Sequence, residues 1–406
     1  MSRSGRSLSA KTELALVAGL RTRLDGSGHV LVDTPVGAVV DLGPDGFSIL
    51  ALLSQPHTLR ETYAALAARP EMDLKPAATA VMQLVETGAV VDAGSLGMRI
   101  GWADPVEHAR MLRDTRRTGA YIAAIEAAVR PNDVVLDLGT GSGVLAVAAA
   151  RAGARHVYAV EASDIGAVAA QVFEANGVAD RVTLVSGWST QVELPERATL
   201  LVSELIGSDP FEEDVLEITL DARQRLLTPD ARLLPRKLEL HARPLAVPLA
   251  DRRECRVDRE DVAEWSRLYS IDFRPLWEVR PREPAHWPTE GSVVAAWPPL
   301  GPAVELASVD LASFDSPEIR ANADLVVEEA ASVDAILLTF RAELYEQIEY
   351  LHEPRRKELS CWAASVWFLP EPIEAPAGTR LRVEYRRRIR GQADGLIRCT
   401  ASEALV

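Results

Sequence analysis

Two glutamates in one short segment are the residues whose type and spacing most clearly suggest chemistry. Glu204 and Glu213 stand nine residues apart and follow an apolar run at 200–203. Gly207 and Pro210 between them favour a loop that folds back on itself, so that the two carboxylates can face each other. Such a pair can bind a cation and offset its charge as a proton leaves. A solvated acidic loop is the alternative, but the end of a buried strand favours a functional site.

A glycine-rich segment indicates a second site. Residues 137–143 read Asp-Leu-Gly-Thr-Gly-Ser-Gly, at the point where an apolar run gives way to a helical pattern. Gly139, Gly141 and Gly143 let the backbone approach a ligand at the amino end of that helix. A dinucleotide-binding fingerprint would need glycine where the chain has Val144, so a smaller nucleoside ligand is favoured. The alternative is that the glycines only make a tight turn.

Hydrophobic patterns predict the elements that position these residues. Glu161 ends the second of four predicted strands, where its carboxylate could accept both hydroxyls of a ribose; a solvated strand end is the alternative. Strand, glycine loop, helix and strand in this order predict a parallel α/β sheet. The predicted strands are 133–138, 156–160, 182–185 and 200–203, and the predicted helices are 144–150 and 164–176.

The rest of the chain predicts β structure on one side of this sheet domain and a small mixed module on the other. Alternating stretches at 237–243, 335–340, 365–369 and 379–385 predict an antiparallel β domain, with a short helix at 262–269 and an irregular, Pro- and Trp-rich excursion at 280–302. Before the sheet domain, a polar tail over 1–20 precedes strands at 30–32 and 38–42, joined by a turn at Pro35 and Gly37.

Three helices should complete the first module. The first carries the apolar residues of 47–53, and the second begins at a Thr58 cap with Glu61 three residues later. The third runs from Pro76 and stops at Gly88.

Composition limits the class of protein. The 406 residues suggest two or three domains, and the 48% hydrophobic and 25% charged residues are typical of globular chains. No apolar run approaches the roughly 20 residues of a membrane span, and no signal peptide is recognised. A net charge of −15 disfavours nucleic acid as a partner. Three cysteines without metal-ligand spacing predict no metal site and favour the cytoplasm.

The glycine loop and Glu161 resemble a class I S-adenosylmethionine methyltransferase. Ser203-Glu204, with glycine three residues after the glutamate and Glu213 beyond it, resembles the double-glutamate loop of protein arginine methyltransferases. The likeness covers about 102–235. It also includes Met111-Leu112-Arg113-Asp114, Arg117 to Tyr121, Val192-Glu193-Leu194-Pro195 and Leu227-Thr228-Pro229-Asp230.

This resemblance implies a Rossmann-like methyltransferase domain, a barrel-like β domain and a set of site residues. Glu204 and Glu213 would be catalytic and would bracket the acceptor cation. His108 and Arg117 would lie on a helix that closes over S-adenosylmethionine, with Arg117 on its methionine carboxylate, and Glu161 would hold its ribose. The implied cofactor-binding residues are His108, Arg117, Asp137, Gly139, Gly141, Gly143, Glu161 and Thr190, and the implied substrate pocket is formed by Trp102, Cys361 and Trp362.

Several positions depart from the family pattern. Thr190 stands where the family has a carboxylate near the adenine amino group. The family's amino-terminal tyrosine motif falls on Met98, Arg99 and Trp102, and its Thr-His-Trp loop falls on Ser360-Cys361-Trp362. Cys361 lacks the charge with which histidine would pair with a carboxylate at Asp114, and a buried structural thiol is expected there. The acceptor is therefore a cationic nitrogen that need not be arginine.

The first module resembles the PqqD-type winged-helix elements that bind leader peptides of ribosomally made natural products. The resemblance lies in residues 41–53, 58–59 and 84–91, and it implies peptide binding along the strand at 38–42 by β-addition. A DNA-binding winged helix is disfavoured, because residues 25–97 carry three basic against nine acidic residues. A structural cap on the catalytic domain is the other alternative.

The combined prediction is an S-adenosylmethionine-dependent N-methyltransferase that acts on an amine of a ribosomally synthesised precursor peptide. The C-terminal amine of a daptide would reconcile the two glutamates with the altered pocket. The alternatives are a protein arginine methyltransferase with a diverged pocket and a non-catalytic methyltransferase-like binding protein. The predicted segments are a tail at 1–20, a module at 21–97, a methyltransferase domain at 98–234 and a β domain at 235–406, with an arm near 257–285 that makes a homodimer through the helix of Trp265 and Tyr269.

Overall fold

The computed structural model describes residues 12–16, 20–33, 39–54, 57–69, 72–87, 89–92, 102–279, 282–356, 360–387 and 396–402. The chain divides into two units, Met1–Asp104 and Pro105–Val406. The predicted turn at Pro35 and Gly37, the helix stop at Gly88, and Met98 and Arg99 lie outside the described residues. None of the helices in the described ranges combines the length and apolar character needed to cross a membrane.

The described residues of the first unit include two three-stranded antiparallel sheets and three helices. The strands are β1 (Glu13–Leu16), β2 (Arg21–Leu24), β3 (Val30–Asp33), β4 (Val39–Asp41), β5 (His57–Thr58) and β6 (Val90–Asp92), and the helices are α1 (Gly46–Leu53), α2 (Leu59–Ala67) and α3 (Leu74–Glu86). The two sheets have the strand orders β5-β1-β6 and β2-β3-β4.

Capping and apolar burial explain these helices. The Thr58 backbone N–H donates to Glu61 Oε2 at 2.9 Å and the Glu61 N–H donates to Thr58 Oγ1 at 3.1 Å, which completes the predicted capping box at the start of α2. The unit's core includes Leu53, Leu66 and Leu84, each fully buried.

The predicted flexible tail over 1–20 is wrong at residues 13–16. These residues form β1, which pairs with both β5 and β6, and Leu14 is fully buried in the core. The strand is only four residues long, and its pairing partners lie more than 40 residues later in the chain, so no local pattern in the sequence marked it. β2 (Arg21–Leu24), all of whose residues are exposed, was also missed.

The second unit begins with a parallel sheet flanked by helices. The strands of the sheet are β7 (Val134–Leu138), β8 (His156–Glu161), β9 (Val182–Ser186), β10 (Ala198–Ser203) and β11 (Leu227–Leu234). The helices are α4 (Pro105–Arg113), α5 (Thr115–Ala128), α6 (Val144–Arg151), α7 (Gly166–Ala175) and α8 (Val215–Arg225). The four predicted strands are present; β11, which contains Pro229 and Asp230, is a fifth that the sequence pattern did not reveal.

The order of the strands locates the ligand site. All pairings are parallel and the order is β11-β10-β7-β8-β9, so the chain reverses its direction of progress across the sheet between β7 and β10. Ligands of such sheets bind at the carboxyl edge beside this reversal. The glycine loop follows β7, Glu161 ends β8 and Glu204 follows β10, so the three predicted features share one edge.

The β-rich part that follows consists of antiparallel sheets. Its strands are β12 (Lys237–Leu245), β13 (Ala285–Thr289), β14 (Val304–Asp310), β15 (Arg320–Val326), β16 (Ala331–Tyr345), β17 (Ile348–His352), β18 (Ala364–Ala375), β19 (Arg380–Arg386) and β20 (Leu396–Ser402). Its helices are α9 (Leu249–Cys255), α10 (Arg259–Tyr269), α11 (Arg274–Glu278) and α12 (Gly291–Val294). One sheet has the order β13-β18-β16-β12-β14, with β17 on β16, and the other has the order β15-β19-β20.

Two predictions need correction here. The strands of the predicted barrel form two separate sheets. The predicted excursion at 280–302 contains β13, which pairs along β18, and α12; Pro288 and the tryptophans concealed this edge strand. The chain divides after Asp104, and the parallel sheet and the β-rich part share one hydrophobic core; the boundaries at 97 and 234 stay predictions.

Candidate active site

The glycine loop after β7 packs tightly against neighbouring side chains. Gly139, Gly141 and Gly143 have φ of 73°, 54° and 88°, a region that side chains rarely tolerate. A Cβ at Gly141 would lie 2.8 Å from Cε1 of His108, and one at Gly139 would lie 2.7 Å from Cδ2 of Leu205. The loop therefore brings the backbone beside both α4 and the segment that follows Glu204.

Glu161 faces this loop from the end of β8. Its side chain is almost buried, and its Oε2 accepts from the Gly141 N–H at 2.9 Å. Its Oε1 accepts from the Ser163 N–H and hydroxyl, both at 2.7 Å. A carboxylate held at the carboxyl edge beside the glycine loop fits a nucleoside with a ribose that donates two hydroxyls.

Asp137 lies behind the loop, within β7. It is 1% exposed, its Oδ2 accepts from the Thr140 hydroxyl at 2.6 Å, and its Oδ1 has no hydrogen-bond partner among the described residues. Burial raises the pKa of its carboxyl to about 7. Because it is so enclosed, Asp137 can influence a cofactor only by fixing the loop. Thr190 is partly exposed after β9, and its contact with adenine stays a prediction.

Arg117 links the cofactor edge to the first glutamate. It is on α5 and buried, and its Nη1 donates to Glu204 Oε2. Its Nη2 donates to the Met111 carbonyl at 3.3 Å, and the guanidinium lies 5.6 Å from the centroid of the Trp362 ring. The sequence placed Arg117 on a methionine carboxylate and did not predict this ion pair. Its Nε is buried without a partner among the described residues, so this N–H can donate to a ligand.

The second glutamate is held in an acidic, desolvated setting. Burial raises the pKa of the Glu213 carboxyl to about 8, and the charges of Glu204 and Glu212 act in the same direction. Burial also raises the pKa of Glu204, against the opposing effect of Arg117. Arg117 compensates Glu204 directly, so Glu213, when it is ionised, supplies the negative charge that an incoming cation would meet.

The segment 360–362 reaches this site from the β-rich part. Trp362 Nε1 donates to the Ile206 carbonyl at 2.6 Å, and the Cys361 N–H donates to Asp114 Oδ2 at 3.2 Å. Cys361 is buried, as expected of a structural thiol, and burial raises its pKa to about 12. Asp114 also accepts from its own helix, through the Arg117 N–H at 3.0 Å. A backbone donor thus stands in place of the absent histidine charge.

Some predicted residues meet at this edge and others do not. His108, Arg117, Gly139, Gly141, Glu161, Glu204, Cys361 and Trp362 belong to one connected network around the glycine loop and the glutamates. Trp102 is in the first unit, so its role in the pocket stays a prediction. The sequence did not indicate His352, which is 3% exposed and whose ring centroid lies 5.6 Å from that of Trp362. Burial lowers the pKa of His352 to about 4. No motif marked it, because its place depends on the pairing of β17 with β16.

The known proteins that this chain resembles are methyltransferases by name. Residues 115–208 match the family of ribosomal protein L11 methyltransferases, PrmA. The chain is 32% identical over 219 residues to the probable protein arginine N-methyltransferase 6 of Arabidopsis thaliana, covering 52% of this chain and 49% of the relative. It is 36% identical over 180 residues to protein arginine N-methyltransferase 1 of Schizosaccharomyces pombe, covering 44% and 51%. The chain thus spans about half the length of these curated relatives.

Solved structures show the same fold. A Trypanosoma brucei PRMT1 enzyme-prozyme heterotetrameric complex with AdoHcy aligns with a TM-score of 0.59 at 22% identity, covering 75% of this chain and 100% of that one. Protein arginine methyltransferase 10 of Arabidopsis thaliana aligns with a TM-score of 0.59 at 21% identity, covering 74% and 99%. The chain therefore has the fold of a class I methyltransferase followed by a β-rich domain. The two curated relatives are named as protein arginine N-methyltransferases.

Proposed function

We propose that this protein transfers a methyl group from S-adenosylmethionine to a cationic nitrogen of a protein or peptide. The observation that carries the proposal is a pair of partly buried glutamates, Glu204 and Glu213, whose charges interact on the segment after β10. Arg117 donates to Glu204, and Leu205, the next residue, lies beside Gly139 of the glycine loop. A binding protein with a vestigial site would not need two desolvated carboxylates, whose burial costs free energy.

The side chains divide the work as follows. Glu161 and the glycine loop would hold the ribose end of the cofactor, and Arg117 would use its free donor on the carboxylate end. When bound, S-adenosylmethionine supplies an electrophilic methyl group. Glu213 attracts the cationic acceptor and, with Glu204, aims its nitrogen toward the loop. Since the pKa of Glu213 is about 8, its carboxylate can also take the proton that the nitrogen releases.

Arginine is the first acceptor to consider, because the relatives reported above are arginine methyltransferases by name. The second is an amine of a ribosomally synthesised precursor peptide, such as the C-terminal amine of a daptide. The observation that favours an amine is the contact of Asp114 with the Cys361 backbone N–H rather than with a histidine side chain. The pocket around the acceptor then differs from the one that the resemblance implies for arginine.

The first unit would hold the peptide that carries the acceptor. Its strand β4 is the edge of the β2-β3-β4 sheet, and Val39 on this strand is 51% exposed. An extended peptide can add to such an edge by backbone hydrogen bonds. The alternative to this PqqD-like role is that the first unit has a purely structural role.

Mass spectrometry of candidate acceptors tests these proposals together. The full chain is expected to methylate one of two peptides, one with arginine as its only cationic side chain and one with a single alkylamine. A variant that lacks residues 1–94 should show a raised KM for a leader-bearing precursor but nearly unchanged kcat for a short acceptor, because tethering acts through effective concentration.

Different results would contradict the peptide-binding role of the first unit and the methyltransferase activity. Equal activity of both proteins on leader-bearing and leaderless peptide would reduce the first unit to a structural role. Calorimetric titration that detects no S-adenosylmethionine binding would instead favour a non-catalytic protein.

We also propose a homodimer formed through the arm at 257–285. On and beside α10 and α11, Tyr269, Ile271 and Val279 are 62%, 55% and 79% exposed, whereas Trp265 is partly buried. Exposed apolar residues concentrated in one segment are typical of an interaction surface. Sedimentation at micromolar concentration should show a dimer that Tyr269→Asp converts to monomer, with Val168→Asp, at an exposed apolar residue outside the arm, as a control. A monomer in the unaltered protein would contradict the arm.

The compartment proposed for this activity is the cytoplasm. Cys255, Cys361 and Cys399 are all free thiols. Free thiols persist in reducing compartments, where disulfides are rare.

A further inference from the structure

The β-rich part anchors the segment 204–214, here called the glutamate loop, through the end of β19. The Tyr385 hydroxyl donates to Asp209 Oδ2 at 2.7 Å, and Asp209 Oδ1 accepts from the Phe211 N–H at 3.0 Å. Tyr385 and Asp209 are 2% and 5% exposed. A buried carboxylate with partners on both oxygens fixes the middle of the loop.

Arg387 makes a second and larger anchor. Its Nε donates to the Phe211 carbonyl at 2.8 Å, and its Nη1 and Nη2 donate to Glu217 Oε1 and Oε2 at 2.8 and 2.7 Å. Nη1 also donates to the Pro317 carbonyl at 2.9 Å. Because Arg387 is almost fully buried, its charge depends on these partners, and its planar fork matches the carboxylate of Glu217.

The two anchors enclose Glu213. Phe211 precedes it by two residues, and Glu217 follows it by four, in the first turn of α8. Between them, Asp214 has a φ of 55°, a backbone conformation that L residues with side chains adopt only when their surroundings hold them there. Arg387 thus contacts the chain on both sides of Glu213 with one rigid group, so the direction of the Glu213 side chain depends on the β-rich part.

We propose that Tyr385 and Arg387 are positioning residues, which act through the glutamate loop to hold Glu213 opposite Glu204. The proposal rests on the proposed function, in which these glutamates bind the acceptor. Neither residue need touch the acceptor or the cofactor. Displacement of a positioned group by about 1 Å can lower a rate about a hundredfold. Tyr385 and Arg387 can therefore control turnover without touching the acceptor.

The test combines hydrogen exchange with kinetics in the full chain. Tyr385→Phe removes one hydroxyl, and Arg387→Lys keeps the charge but loses the fork. Arg382→Lys, on the same strand in an exposed pair with Asp324, is the matched control. The measurements are amide exchange over 204–214, affinity for S-adenosylhomocysteine, and kcat/KM with a peptide that contains arginine and a free amino terminus.

We expect faster exchange confined to the glutamate loop in both variants. Turnover should fall about tenfold in Tyr385→Phe and about a hundredfold in Arg387→Lys, with cofactor-product affinity within twofold of the unaltered protein and the control unchanged. Unchanged amide exchange over 204–214 in both variants would contradict the positioning role. Faster exchange throughout the unit together with loss of S-adenosylhomocysteine binding would also contradict it. Absence of turnover in the unaltered protein, with the exchange result as expected, would count against the proposed function alone.

Discussion

Replacing Glu213 or Glu204 by Gln is expected to lower kcat/KM for the acceptor at least hundredfold, about 3 kcal/mol of transition-state stabilisation. Gln keeps the size and much of the hydrogen bonding but removes the charge that attracts and aims a cation. Steady-state kinetics with the methylated peptide measure the loss. Cofactor affinity, measured by calorimetry, should stay within a few fold, because Glu161 and the glycine loop are unaltered.

The two variants should differ in their dependence on pH. The raised pKa of Glu213, about 8, means that its carboxyl is protonated below that pH and ionised above it. Acceptor kcat/KM should therefore rise with pH toward about 8 in the unaltered protein, and Glu213→Gln should lose this rise. With an alkylamine acceptor, a second rise should continue until the amine is deprotonated; a guanidinium reaches no such plateau in a usable range.

Glu174, an exposed glutamate on α7, provides a matched control for the loss of charge. Glu174→Gln should leave kcat/KM unchanged. Turnover close to that of the unaltered protein in both Glu204→Gln and Glu213→Gln would remove these residues from the mechanism. It would also remove the main reason for regarding the acceptor as cationic.

Glu161→Ala is expected to weaken S-adenosylmethionine binding tenfold or more, from the roughly 1.5–3 kcal/mol that a charge-assisted hydrogen bond contributes. The carboxylate also accepts from the Gly141 N–H, so its removal loosens the loop as well as the ribose contact. Isothermal titration with the cofactor measures the affinity. The thermal transition of the variant should show that the unit still folds.

Glu174→Ala, an exposed glutamate on the neighbouring helix α7, is the control for this substitution and should bind the cofactor as the unaltered protein does. If Glu161→Ala also binds it with unaltered affinity, the ribose lies elsewhere. The predicted division between a ribose carboxylate and two acceptor carboxylates would then be wrong.

The sequence alone was sufficient to predict the strands and the glycine loop that position the site. Apolar runs marked β7, β8, β9 and β10, and a turn signal of three glycines marked the loop after β7, because buried parallel strands and tight turns each have a local signature. Parallel strands end at a common edge, so Glu161 and Glu204 could be placed together without coordinates. The cap of α2 at Thr58 was predictable for the same reason, since its partner Glu61 is three residues away.

Only the tertiary structure determined the contacts between distant segments and the charge states that depend on these contacts. Arg117 pairs with Glu204 across 87 residues, the Cys361 N–H meets Asp114 across 247, and Tyr385 meets Asp209 across 176. No spacing in the sequence encodes such pairs, because they depend on how strands of the β-rich part pack on the parallel sheet. The pKa of Glu213 likewise depends on burial and on neighbouring carboxylates, so its residue type indicated a carboxylate, while the fold determined the pH at which that carboxylate is charged.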